Sequence, residues 1–301
     1  VGNYAQRYVS MRFRSIIANS PDGVPPWLEV VAAGDDAGLF LPSDAPWVVH
    51  GNLATLIGGI RALLMQALHP GTLAGVATHS RYETDALGRL AGTTRWLTVT
   101  TFGSKQAIDA EANRVNRMHD RVVGNYETAA GKSRAYQASD PDLLLWVHIA
   151  FTNSFLTAHE LFGSEPIPGG ANNYVAQWSK SVAPLGLLNA PMSKNELDEA
   201  LLGYFENNEL AINEQTSQVI KFIRKPPLPK IASIVYALLY QAAVASIPNP
   251  YRTLLGLRAL PLWFIKPIIK SFLAVLALAI GPDSPIEEAA LGRLRRIGAI
   301  T

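Results

Sequence analysis

The sequence predicts an all-α protein, a single helical domain over residues 1–301. Three observations carry that prediction. Apolar residues recur at helical spacing through most of the chain. Proline or glycine closes most of those stretches. Only Trp96–Phe102, WLTVTTF, has the β-branched richness of a strand.

The elements follow in order. Gly51–His69 is strongly apolar and stops at Pro70, because the residue before a proline disfavours the helical conformation. Ala107–Gly124 reads as a second helix closed by Gly124. Asp140-Pro141 places an acidic cap and a first-turn proline before a third, Asp142–Phe162, which ends at Gly163 and Pro166. Glu196–Arg224 reads as one long amphipathic stretch, broken at Lys225-Pro226-Pro227. Ile231–Ile247 is apolar and stops at Pro248-Asn249-Pro250. Ala259–Ile280 is interrupted by Pro261 and Pro267 and carries Lys266 and Lys270. It reads as a pair of core helices, or as an interfacial surface with Trp263 and Phe264 at headgroup level and snorkelling lysines. Ser284-Pro285-Ile286-Glu287 is a capping-box signature opening a helix that is basic at Arg293, Arg295 and Arg296. The proline-rich breaks at 21–26, 166–168 and 226–229 read as loops within one domain.

Composition removes several functions. The chain is 49% hydrophobic and 17% charged, so much of it is buried or faces something apolar. Its net charge of +2 gives no electrostatic case for nucleic acid. With no cysteine, disulfides, thiolate metal sites, Fe–S clusters and a cysteine nucleophile are excluded, without choosing a compartment. The start, VGNYAQRYVSMRFRS, lacks the charged head and apolar run of a signal peptide, and a trimmed leader stays open. No clean membrane span stands out. The expected location is cytoplasmic or peripherally membrane-associated.

All 6 histidines fall in the first 159 residues. At 100° per residue His119 shares a face with Ile108, Val115 and Val122. It is either a core histidine or a ligand to something buried. Arg114, Arg117 and Arg121 form a stripe nearly opposite, read as a solvated face, with propionate pairing as the alternative. No HExxH, no Glu-x-x-His, no GxSxG, no P-loop and no GxGxxG is present. Helices with buried-looking histidines and no thiolates leave haem as the natural cofactor, one histidine supplying the axial nitrogen. In the third helix His148, Thr152, Phe155 and His159 share a side, and His148 with Thr152 among aromatics could line a pocket. His148 and His159 stand about 16 Å apart along a helix and cannot share one metal ion. His159 near the helix end suits the last carbonyls and the dipole. His69 before Pro70 suits a cap, and His79 a surface or loop position. Arg89 and Thr93, four apart, would align on one turn and could orient oxygen or a propionate, although such a pair alone is more often structural.

Several pieces recur in one order: QALHP at 66–70, THS at 78–80, Arg89-Leu90 with Thr93, FGS at 102–104, Val115, His119, Val122 and Gly124, and DPDLLLWVH at 140–148. Together they resemble the bacterial and fungal family of latex-clearing rubber oxygenases and membrane-associated mpaB-type oxygenases, over residues 50–165. The resemblance implies a globin-like helical core holding one haem b. It implies that His119 is the proximal iron ligand, and that Arg89 and Thr93 are the pocket arginine and threonine. It also implies cleavage of an isoprenoid carbon–carbon double bond by dioxygen, giving carbonyl products. In the latex-clearing members a lysine precedes the threonine; here that position is Gly92. Together with the short chain, this makes a substrate smaller than rubber the expectation.

The expected function is therefore a haem b oxygenase acting on an apolar, unsaturated, isoprenoid- or lipid-like substrate. Arg89, Thr93 and His148 are its expected catalytic residues, and His119, Arg89, His148 and His69 its cofactor-binding residues. One alternative is a sensor or carrier with both axial positions filled, His148 being the second ligand. Another is a cofactor-free helical membrane-surface protein working through 259–280.

Overall fold

The computed structural model describes residues 4–17, 20–79, 86–281 and 284–301; the side chains of 4–5, 17, 76–79 and 86–91 are outside the description. The chain starts with α1 (Tyr4–Ile17), α2 (Leu28–Ala32), α3 (Ala45–Gly51), α4 (Thr55–Gln66), α5 (Pro70–His79), α6 (Ala86–Phe102) and α7 (Lys105–His119). A hairpin of β1 (Val123–Glu127) and β2 (Ser133–Gln137) follows, then α8 (Pro141–Phe162), α9 (Gly170–Trp178), α10 (Lys194–Glu206) and α11 (Glu214–Arg224). The last four are α12 (Lys230–Ser246), α13 (Asn249–Leu254), α14 (Leu262–Ile280) and α15 (Pro285–Arg296). The all-α expectation holds, with one antiparallel hairpin added to it.

The centre is the pair α4 and α8, and both are apolar on more than one side because α3, α9, α10, α12 and α14 cover them. Their close approach depends on Gly58. A Cβ there would lie 2.6 Å from Phe155 Cδ1 and 3.1 Å from Phe155 Cα. Alanine favours a helix over glycine by about 1 kcal/mol, but Phe155 is buried and cannot recede. Gly58→Ala is therefore expected to cost a net ~1–3 kcal/mol, read as a lower urea midpoint. A second core joins Trp27, Trp47, Val99, Phe102 and the buried face of α15. Arg293 is buried and donates to the Val31 carbonyl, and Arg296 donates to those of Ala32 and Gly34, so they satisfy the C-terminal end of α2.

Four expectations need correction. Trp96–Phe102 is helical: α6 is wedged against α1, α2, α3, α7 and α15, and burial of Leu97, Val99 and Phe102 decides over β propensity. Ala107–Gly124 is not one helix. It ends at His119, and Gly124 pairs with Tyr136 inside the hairpin. Glu196–Arg224 is two helices: Asn208 takes φ 55°, Ala211 donates to the Leu68 carbonyl, and a reciprocal Asn213–Thr216 cap starts α11. Ala259–Ile280 is not a pair of core helices. It is the single helix α14 with most of its surface exposed, and Pro267 lies inside it on the exposed side.

Candidate functional site

The site is built on the α6–α7 hairpin. Gly103 and Ser104 turn the chain between the two helices, and the Ser104 side chain accepts the Ala107 N–H to start α7. The helices are pinned by Glu111, whose side chain is almost wholly buried. Its carboxylate accepts from Arg95 Nε at 2.9 Å across the hairpin and from Arg114 at 2.6 Å and 3.0 Å along α7. Burial raises the Glu111 pKa, and the two guanidinium groups overcome that and hold it below the usual value. Arg114 thus belongs to this ion network, while Arg117 and Arg121 face solvent as expected.

Further along α7, Asn116 Nδ2 donates to the Pro184 carbonyl, anchoring the last turn to a short 3-10 segment, Ala183–Leu185. His119 is the final residue of α7. Its carbonyl accepts the Val122 N–H as the chain leaves for β1. The imidazole is half-buried, and its Nδ1 is fully buried with no hydrogen-bond partner among the described residues. Burial lowers its pKa, so the ring is neutral at neutral pH with a nitrogen left unsatisfied. Val122, expected on the same helical face, packs instead beside Ala74, Tyr136 and Leu143.

Thr93 is half-buried on α6, one helical turn after Arg89. Because α6 runs back alongside α7, the stretch from Arg95 towards Arg89 runs in the direction of His119. Arg89 itself is on α6, with its side chain outside the described residues, as is that of His79 at the end of α5. A Cβ at Gly92 would meet nothing within 4 Å.

His148, His69 and His159 are carried by other parts of the chain. His148 is buried on α8, its Nε2 3.5 Å from the Thr152 hydroxyl, which donates to the His148 carbonyl. Burial holds its pKa down at about 4. His69 sits between α4 and α5, where its Nδ1 accepts the Gly71 N–H at 3.1 Å, so it caps α5. The rings of Tyr204, Tyr126 and Trp146 surround it, and burial holds it at about 4. His159 Nε2 is bonded to the Glu165 carbonyl just past the helix end, and its Nδ1 has no hydrogen-bond partner among the described residues. The helix that bears His148 packs chiefly on α3, α4, α5, α9, α10, α12 and α14, not on the α6–α7 hairpin.

Sequence reasoning missed three buried groups. His50 is hydrogen-bonded to Thr101 Oγ1 at 2.8 Å and Tyr174 Oη at 2.9 Å, a fully partnered core histidine. Arg61 is completely buried on α4; it donates to Ser154 Oγ at 2.8 Å, and its Nε has no hydrogen-bond partner among the described residues. Glu111 lay unremarked in the His119 helix, although its spacing to Arg114 was a legible signal. Among the described residues no three His, Asp or Glu side chains gather as a metal site.

A family model described as "ER-bound oxygenase mpaB/B'/Rubber oxygenase, catalytic domain" matches residues 47–278, from α3 to α14. No curated protein and no solved structure matches the chain.

Proposed function

The chain belongs to the mpaB/rubber oxygenase catalytic-domain family, and on that premise we propose that it is a haem b-dependent oxygenase of an apolar, unsaturated, isoprenoid- or lipid-like substrate. The observation that carries this reading is the buried Nδ1 of a neutral His119, without a hydrogen-bond partner among the described residues, at the end of a helix fixed by the ion pairs of a buried Glu111. A metal held by side chains alone wants three or four converging donors. A macrocycle brings four nitrogens of its own and needs from the protein one imidazole, which is what this donor set offers. When bound, haem supplies the binding and activation of dioxygen.

The chain's residues have separable tasks. His119 would hold the haem iron through its imidazole, and the Glu111 network with the Asn116 anchor keeps the α7 terminus in place. Arg89 and Thr93, one helical turn apart on α6, would be the pocket arginine and threonine that the resemblance implies, the one able to pair with a haem carboxylate and the other to donate a hydrogen bond. His148, buried and neutral on α8 away from the α6–α7 hairpin, would be a second imidazole within the helical core, its ring holding a proton on one nitrogen and accepting at the other. Gly92 supplies no ligand, so lysine ligation from that position, as in the latex-clearing members, is not available.

The test is spectroscopic and functional together. Full-length protein supplemented with haem should show a Soret band that shifts when carbon monoxide is added to the reduced form. It should consume dioxygen with an unsaturated isoprenoid chain and not with its saturated analogue. A six-coordinate, low-spin spectrum indifferent to carbon monoxide would make the protein a haem carrier or sensor. Absence of any Soret band would overturn the haem reading altogether.

A further inference from the structure

We propose that the outer face of α14 and the start of α12 dock on the surface of an anionic lipid bilayer. α14 is long and apolar enough to cross a membrane, yet it does not stand free. Ile265, Ile269 and Leu273 are buried, and the helix packs on α12, α1 and α8. The opposite side is exposed and equally apolar: Trp263 is 79% exposed, Val275 64% and Leu278 78%. Beside it α12 exposes Ile231 at 80% and Ile234 at 73%, one turn apart. A soluble surface seldom exposes so many large apolar side chains on two helices packed together without an occupant.

Charge selects the occupant. Between Glu214 and Asp283 the sequence has no acidic residue, and it carries Lys221, Arg224, Lys225, Lys230, Arg252, Arg258, Lys266 and Lys270. The whole chain has a net charge of only +2, so this segment holds the positive charge and the remainder is net acidic. Lys230 adjoins Ile231, and Lys266 and Lys270 stand on α14 itself, among the apolar groups. Apolar side chains interleaved with cations suit an interface where the former enter the acyl boundary and the latter meet phosphate or carboxylate headgroups. Trp263 and Phe264, in edge contact, occupy the end of α14 as an aromatic anchor. A second copy of the chain suits this face less, because two such segments would oppose cations to cations. A spanning helix also fits less well, since one side of α14 is already committed to the protein core.

The experiment is flotation of the full-length protein with vesicles of phosphatidylcholine alone or mixed with phosphatidylserine. Binding is expected to the mixed vesicles, weakened by raised salt and much weaker to pure phosphatidylcholine. Trp263→Ser combined with Leu278→Ser should weaken it on the order of tenfold or more with helix content and melting unchanged, since both side chains are exposed. Lys266→Gln with Lys270→Gln should reduce the preference for phosphatidylserine. His119→Ala should bind vesicles as the parent does, because docking does not depend on haem. No binding to either vesicle, or binding unaffected by the Trp263 and Leu278 changes, overturns the proposal. A concentration-dependent dimer abolished by those same changes would assign the face to a second copy and overturn it as well.

Discussion

His119→Ala is expected to abolish haem retention while leaving the fold nearly intact. The two halves of this expectation come from different observations. The imidazole makes no hydrogen bond through Nδ1 among the described residues and is only half-buried, so its removal breaks no network. The structural elements around it, the Glu111 ion pairs and the Asn116–Pro184 bond, do not involve its ring. The haem-free variant should therefore melt close to the parent, within the ~0.5–3 kcal/mol of an ordinary substitution. Haem affinity should fall by at least about a hundredfold, because loss of a second-sphere contact alone costs ~10–100-fold and an axial ligand counts for more. Haem content after gel filtration reads this directly. Full retention would move the ligand to another histidine, with His148 the first to test.

The second large effect is acid destabilisation that starts above the carboxylate range. His50, His69 and His148 are buried as neutral rings, with pKa values held down at about 3, about 4 and about 4, chiefly by burial; His159 beside His50 adds to it. In the unfolded chain each protonates near pH 6.5. A base with a lowered folded pKa contributes its full stability above the unfolded value, and that contribution is lost as pH falls below it. Between about pH 6.5 and 4.5 the unfolded state thus binds up to about three more protons, and stability should fall by as much as ~4 kcal/mol per pH unit. Urea midpoints across that window measure it. His50→Gln, which can still bond to Thr101 or Tyr174, should remove about a third of the slope. A flat profile down to pH 5 would mean that these rings are hydrated and titrate normally.

Much of this architecture is written locally in the chain. Asp140-Pro141 and Gly163 bracket α8 within a residue, and Ser284 caps α15 as its signature predicts. The errors share a cause. Trp96–Phe102 has strand-like residues, but five neighbouring helices bury it, and nothing in the segment itself reports those neighbours. The break after α10 turns on Asn208 adopting a left-handed conformation, which a long amphipathic pattern hides. The hairpin at Val123–Gln137 was masked by the apparent continuity of the His119 helix through Val122.

The site was legible to the same degree. The inward direction of His119 follows from periodicity, and the structure adds what periodicity could not: a buried nitrogen without a partner, and a helix end held by Glu111 and Asn116. His69 proved to be the cap its position before Pro70 suggests, with its Nδ1 already engaged. Arg61 and His50 gave no advance signal, because a cation or an imidazole within an apolar run reads equally as exposed or buried until the packing of α3, α4 and α8 is known.

The most direct test of His119 as an iron ligand is titration of full-length protein with haem, followed by the iron–imidazole vibration of the reduced form. One haem b per chain, with that vibration present in the parent and lost in His119→Ala, is the result predicted. A parent chain that binds no haem, or a variant that keeps an imidazole on the iron, would contradict it.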